Sequence, residues 1–329
     1  MTTCTPLPSL SIGSLGGTIC MQSSEGDLGI TPRLGCAELL AQLPSLATLA
    51  RLHSTDLCLV PSASLDLGDL IDVFEWARSR VENGACGIVL TQGTDTLEET
   101  AYWLDLLWPF AAPLVLTGAM CPATQPGSDG PGNLLAAAQV ALSAHSRGHG
   151  VLVVMNGEIH AASRVRKTAS LALAAFESPG FGPLGWLYEG MTRYRHSPVS
   201  RVTLPAPRQP CPPVALLEAS LGADTALLDA LPELGYQGAV IAGFGAGHVS
   251  ARWSRSLERL AAQMSVVVAS RTGNGPTAHA TYGFEGAEID LQAKDIQMAG
   301  TLCPRKSRLL LCLLLANGMA SSFTRFLPD

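Results

Sequence analysis

The sequence carries little charge for its size. Of 329 residues only 15% are Asp, Glu, Lys or Arg against 47% hydrophobic, the reverse of the balance that leaves a chain disordered, so the protein folds around a large core. A basic surplus is lacking too: 21 Lys and Arg face 27 Asp and Glu, a net charge of −6, and this gives no means of displacing counterions from a phosphate backbone. Nucleic acid is not an expected partner. The longest apolar run, residues 309–316, falls far short of the ~20 residues that cross a bilayer as a helix, so no membrane association is expected either. Nine cysteines form no CxxC pair and no disulfide framework; Cys303 and Cys312 stand nine apart, and the set reads as core thiols in a reducing cytoplasm. Residues 1–10 have no basic segment ahead of an apolar stretch, which agrees with a cytoplasmic location.

Several chemical signatures are missing as well. There is no GxxxxGK[ST] phosphate loop, no HExxH and no GxSxG. Gly243-Phe244-Gly245-Ala246-Gly247-His248 begins like a dinucleotide fingerprint but puts His248 where the last glycine is needed. His145 and His149 are four apart, with Gly148 between them and no acidic neighbour, and they make a poor metal pair. No cofactor and no metal are expected.

What is present is an alternation of short apolar runs with helical stretches, the pattern of an α/β fold whose strands are buried on both faces. Strands are expected at 9–14, 56–60, 87–91, 113–117 and 150–155, with helices at 37–49, 67–80, 97–107 and 132–145 between them. Around 196–213 the text reads HSPVSRVTLPAPRQPCPP, whose six prolines sustain neither a helix nor a central strand. Beyond it runs at 214–219, 239–242 and 265–269 alternate with helical stretches at 223–231, 253–264 and 304–316. The reading is a larger N-terminal domain at 1–195 with a mostly parallel sheet flanked by helices, a Pro-rich linker at 196–213, and a smaller C-terminal α/β domain at 214–329.

Ligands of parallel α/β sheets bind beyond the carboxyl ends of the strands, so the residues following each strand are the candidates. After the first come Gly16-Gly17-Thr18, where two glycines permit a turn that projects the hydroxyl of Thr18; the plain alternative is a turn and nothing more. After the third comes Thr91-Gln92-Gly93-Thr94-Asp95-Thr96-Leu97-Glu98-Glu99-Thr100-Ala101. Thr96 and Glu99 have capping-box spacing, which accounts for part of this polarity. It leaves Gly93, Thr94 and Asp95 over, at a helix N-terminus suited to hold a carboxylate or an oxyanion. After the fifth, Lys167 lies in Arg164-Val165-Arg166-Lys167-Thr168, either a solvated basic cluster or, if buried beside a threonine and an aspartate, a group able to accept a proton.

Together these segments resemble the bacterial-type L-asparaginase and glutaminase-asparaginase family. Gly16-Gly17-Thr18-Ile19 is similar to its first threonine motif and residues 91–101 to its second, with Gln92 where histidine is commoner. Further matches are Gly118-Ala119-Met120, Ser128-Asp129-Gly130-Pro131 with Asn133, Val153-Val154-Met155-Asn156, Arg164 to Thr168, Gly182-Pro183-Leu184-Gly185, Gly245-Ala246-Gly247, Ser270-Arg271, and Gly300-Thr301-Leu302 with Pro304 and Lys306. They run in order along nearly the whole chain.

The resemblance implies hydrolysis of L-asparagine to L-aspartate and ammonia through an acyl-threonine, with Thr18 as nucleophile and Thr94, Lys167 and Asp95 as a proton relay. It implies that Ser62 and Asp95 hold the substrate's α-carboxylate and α-amino group, and that Gly17, Gly93 and Ala119 line the site. It also implies a homotetramer, a dimer of dimers, with sites at subunit interfaces. Glu288, twelve residues before Gly300, would then reach a neighbouring site, with Glu285 as the nearby alternative. Two readings stand behind this one: glutaminase-asparaginase activity, since one methylene supplies only ~1–3 kcal/mol of discrimination, and a catalytically silent amino-acid sensor on the same fold. The sensor reading draws on a departure from the family: residues 19–33 contain no aromatic where members carry a lid tyrosine, and the first tyrosine is Tyr102. The polar stretch from Ser23 to Asp27 reads as a mobile loop whose closure is weak, which implies a high KM.

Overall fold

The computed structural model describes residues 6–22, 29–199 and 201–328. The chain divides into two compact units, Met1–Thr203 and Leu204–Asp329, and the described residues of 196–213 carry neither helix nor strand.

The first unit is built on an eight-stranded sheet. Its spatial order is Met191–Tyr194, Gly185–Tyr188, Glu158–Ala161, Val151–Met155, Leu114–Thr117, Gly87–Thr91, Ser9–Gly16 and Arg51–Val60. The strands from Val151–Met155 to Arg51–Val60 are parallel, and the three at the other edge are antiparallel. Every residue of Gly87–Thr91, Leu114–Thr117 and Val151–Met155 is buried, as continuous apolar runs require when both faces of a sheet are covered. Helices Leu67–Glu82, Leu97–Leu107 and Gly130–Leu142 return the chain between them. The first of these begins at a reciprocal cap: the Asp66 carboxylate accepts the Gly68 and Asp69 amides at 2.7 and 3.0 Å, while Asp69 accepts the Asp66 amide at 2.9 Å.

Three differences from the sequence reading have physical causes. The helix expected at 37–49 is two short pieces, Cys36–Ala41 and Leu46–Leu49, because Pro44 cannot continue a helical ladder. The strand expected at 56–60 begins at Arg51, on an edge of the sheet where polar and charged residues blur the apolar run. The antiparallel strands Glu158–Ala161, Gly185–Tyr188 and Met191–Tyr194 are four residues each, too short to show a period of two.

The second unit is a parallel sheet ordered Val214–Glu218, Gly238–Gly243, Ser265–Ser270, Gln297–Met298. Ile241, Val266 and Val268 pack with Leu257 of helix Ala251–Ala261 and with Leu291 in its core. Residues 243–248 form a tight turn, in which the Phe244 amide donates to the His248 carbonyl at 2.7 Å and the Gly247 amide to the Phe244 carbonyl at 2.8 Å. Its helix starts only at Ala251, capped by Ser250, so this turn is not the entry to a helix that a dinucleotide loop forms.

The described cysteines are free thiols, and Cys20, Cys36, Cys303 and Cys312 are buried. Burial pushes the Cys36 thiol up to about 12 and that of Cys58 up to about 11, which keeps both protonated at neutral pH.

Candidate active site

Gly17, Thr18, Ser62, Gly93, Thr94, Asp95 and Ala119 of the first unit lie on turns at the carboxyl ends of the parallel strands, and Lys167 lies on the short strand Arg166–Lys167. Strand Ser9–Gly16 ends at Gly16, which with the following Gly17 has φ of +85°, and a Cβ on Gly17 would stand 2.0 Å from the backbone nitrogen of Gly93. Only glycine fits there. This contact brings the turn that carries Thr18 against the turn that carries Thr94. Thr18 itself opens a short 3-10 turn, Thr18–Cys20, anchored by buried Ile19 and Cys20 and closed by the Cys20 amide on the Gly17 carbonyl at 2.9 Å. The Cys20 carbonyl accepts the Arg33 and Leu34 amides at 2.8 and 3.0 Å, and Met21–Gln22 pairs antiparallel with Thr31–Pro32. The loop reading at Ser23 to Asp27 lies outside the described residues.

The Gly17 contact leads to a prediction. Gly17→Ala is expected to lower kcat/KM by at least about tenfold, because one of the two backbones must move and misplacement at a reacting centre is costly. Steady-state kinetics with a circular-dichroism control checks this, and unchanged kinetics would show that the two turns need not touch.

Strand Gly87–Thr91 leads through Gln92, Gly93, Thr94, Asp95 and Thr96 into helix Leu97–Leu107. The Lys167 ammonium donates to Thr94 Oγ1 at 2.9 Å and to Asp95 Oδ1 at 2.8 Å. The Lys167 side chain is 16% exposed while that of Asp95 is 70% exposed, so the lysine is sheltered and its partner faces solvent. The bland reading of Lys167 as part of a solvated basic cluster therefore does not hold. Its position is set from behind: its backbone amide donates to buried Glu98, and Arg166–Lys167 pairs with Phe176–Glu177. The sequence reading missed this role of Glu98. The local sequence carries no signal for it, because Glu98 and Glu99 both read as ordinary first-turn carboxylates.

Ser62 follows strand Arg51–Val60 and is 2% exposed, yet among the described residues its hydroxyl has no hydrogen-bond partner. A Cβ on Gly93 would come within 2.7 Å of that hydroxyl, which places it against the Thr94 turn. A buried hydroxyl left unsatisfied costs about 1–3 kcal/mol, and a ligand acceptor removes that penalty. Thr96 occupies the N-cap position, but its hydroxyl makes no capping bond; it donates to the Ser62 carbonyl at 2.9 Å and accepts from Gln92 Nε2 at 3.0 Å.

Ala119 is fully buried and follows strand Leu114–Thr117. The turn around it is held by Asp129, whose carboxylate accepts the Met120 amide at 3.0 Å and the Cys121 amide at 2.8 Å. Asn133 ties the same turn to the next strand: it donates to the Gly118 carbonyl and accepts the Asn156 amide, each at 3.0 Å. Asp129, Asn133 and Asn156 are thus scaffold for Ala119.

Glu288 belongs to the second unit and is fully buried. One carboxylate oxygen accepts the Thr281 and Tyr282 amides at 2.7 and 2.6 Å, and the other meets His248 Nε2 at 3.1 Å. Burial opposes its ionisation, but the Tyr282 and Thr281 amides and His248 outweigh burial and hold the carboxyl below the usual range. Glu285 is on the surface, paired with Arg255 at 2.7 Å. Among the described residues no group of three or more His, Cys, Asp or Glu is arranged to hold a metal ion.

Against known proteins, residues 9–200 match the family model described as "Asparaginase, N-terminal", and residues 213–325 match "Glutaminase/Asparaginase C-terminal domain". The chain is 38% identical to "Probable L-asparaginase periplasmic" of Haemophilus influenzae over 94% of its own length and 89% of the relative's. It is 33% identical to "L-asparaginase 2" of Escherichia coli over 94% and 90%. A crystal structure of a probable cytoplasmic L-asparaginase from Campylobacter jejuni superposes with a TM-score of 0.85 at 28% identity, covering 96% of this chain and 99% of that one.

Proposed function

The chain belongs to the asparaginase family, and from that premise we infer that it hydrolyses L-asparagine to L-aspartate and ammonia, with Thr18 as the nucleophile. The observation that carries the reading is the sheltered Lys167 bridging Thr94 and Asp95 on a turn packed against Gly17, the residue before Thr18. The Thr18 hydroxyl oxygen attacks the side-chain amide carbon and the C–N bond breaks. The departing nitrogen takes a proton and leaves as ammonia, and the enzyme is acylated on Thr18. Water then attacks the ester, the bond to Thr18 breaks, and aspartate is released with the hydroxyl restored. Thr94, Lys167 and Asp95 move the protons these steps require.

Ser62 supplies its unpartnered hydroxyl to the α-carboxylate and Asp95 its exposed carboxylate to the α-ammonium. Gly17, Gly93 and Ala119 line the site with backbone, beside the N-terminus of helix Leu97–Leu107, whose partial positive charge favours a developing oxyanion. No step needs a cofactor or a metal. Ammonia release should be at least about tenfold greater in kcat/KM from asparagine than from glutamine; the opposite order would establish the glutaminase reading that the C-terminal family description also accommodates.

The assembly proposed is a homotetramer, a dimer of dimers in which buried Glu288 serves a neighbouring site through the segment and the His248 ring that it holds. Leu171, Phe181, Tyr188, Met191 and Val202 stand exposed on the first unit, which supports burial against further copies. Light scattering should return the mass of four chains of 34.3 kDa, and a monomer would contradict the assembly. The location proposed is the cytoplasm, on the strength of free thiols suited to a reducing compartment. No helix of the described residues is long and apolar enough to cross a membrane. Fractionation that finds the chain with periplasmic markers would overturn the location.

A further inference from the structure

Gln92 is completely buried, and among the described residues its amide oxygen has no hydrogen-bond partner. Its orientation is nevertheless determined. The Thr96 hydroxyl commits its one proton to the Ser62 carbonyl, so toward Gln92 it can only accept, and the amide must present its NH2 group there. Stability gives no reason for this arrangement, since a buried amide with an unsatisfied oxygen is less favourable than an apolar side chain of the same volume. Both ends of the chain Gln92–Thr96–Ser62 bear on the candidate site: Gln92 immediately precedes Gly93 and Thr94, and Ser62 holds an unpartnered hydroxyl against Gly93.

We propose that Gln92 is a positioning residue that sets Ser62 for the substrate's α-carboxylate through the hydroxyl of Thr96. The inference rests on the reading of Ser62 as the carboxylate donor. The Ser62 backbone is otherwise fixed by a single 3-10 turn, Ser62–Ser64, whose closing bond runs from the Leu65 amide to the same Ser62 carbonyl at 3.2 Å. The Thr96 hydroxyl is a second donor to that carbonyl. It holds the peptide plane, and with it the direction of the Ser62 side chain. Gln92 in turn restricts the rotor of Thr96, because the accepted hydrogen bond closes one direction to the Thr96 proton and leaves the one toward the Ser62 carbonyl open. Substrate and transition state present the same carboxylate to Ser62, so loss of the alignment weakens both equally and appears in KM with kcat retained.

The test is a kinetic comparison of Gln92→Met, Thr96→Val, their double variant and Ser62→Ala with asparagine. Gln92→Met and Thr96→Val are each expected to raise KM about tenfold with kcat within about twofold of the parent, the double variant no more than the larger single, and Ser62→Ala at least as much. In the Ser62→Ala background Gln92→Met should add nothing. Thermal melting of Gln92→Met should be unchanged or higher, a result that a merely structural role would not give, and Gln92→His, whose ring N–H can donate to Thr96, should bring KM back to within about threefold of the parent. Should Gln92→Met fail to fold, Thr96→Val carries the same kinetic expectation. A raised KM in Ser62→Ala with Gln92→Met and Thr96→Val unaffected, or lowered in kcat alone, overturns the positioning role and leaves Ser62 in place. An unchanged KM in Ser62→Ala overturns both.

Discussion

Thr18→Ala should lower kcat for asparagine by about three powers of ten or more while leaving the melting temperature near that of the parent, since the hydroxyl is the bond-forming atom and no other group replaces it. The fold should survive because the turn is held by backbone: Gly17 against Gly93, the Cys20 amide on the Gly17 carbonyl, and buried Ile19 and Cys20. Thr94→Ala should fall by a similar factor. Groups that act as one unit fail together, so the double variant should be scarcely slower than either single one. Steady-state ammonia release with a thermal melt on each variant checks all three. Near-normal turnover in Thr18→Ala would remove it as the nucleophile, and additive losses in the double variant would separate Thr94 from the same step.

Lys167→Met should lower kcat by about two to four powers of ten with KM changed only a few-fold, because the lysine transfers protons and does not hold the ground-state substrate. Methionine keeps the length and apolar stem of a side chain that is already largely sheltered. What it loses is the contact at 2.9 Å to Thr94 and the one at 2.8 Å to Asp95. The ion pair with exposed Asp95 is screened by solvent and contributes little to stability, so the variant should fold. An unchanged kcat with a raised KM would place Lys167 among the binding residues and remove it from the proton relay.

Much of this site could be read from the sequence because its residues follow strands whose buried apolar runs are unmistakable. Strand Gly87–Thr91 and helix Leu97–Leu107 have the expected bounds, and everything between them is the Thr94 turn. The resemblance carried by residues 91–101 then joined Thr94 to Lys167, seventy-three residues away, which no local pattern does. Thr96 shows where local reasoning stops. Its spacing to Glu99 suits a capping box, but tertiary structure turns its hydroxyl to the Ser62 carbonyl and gives its oxygen the Gln92 amide donor in place of a helix N–H, partners that only the fold reveals. Glu98 was illegible for the same reason, since its partner is the backbone amide of Lys167. The antiparallel edge beyond Val151–Met155 gave no signal because four-residue strands carry too few alternations to tell from loop.

Turnover, as against binding alone on a family fold, is what separates an amidohydrolase from a sensor. The most direct measurement incubates the purified protein with L-asparagine in buffer containing EDTA and follows ammonia and aspartate together. Equimolar release of the two is expected over many turnovers per chain, unchanged by the chelator. Asparagine that binds by calorimetry yet yields no ammonia would contradict it and establish the chain as a sensor of the amino acid.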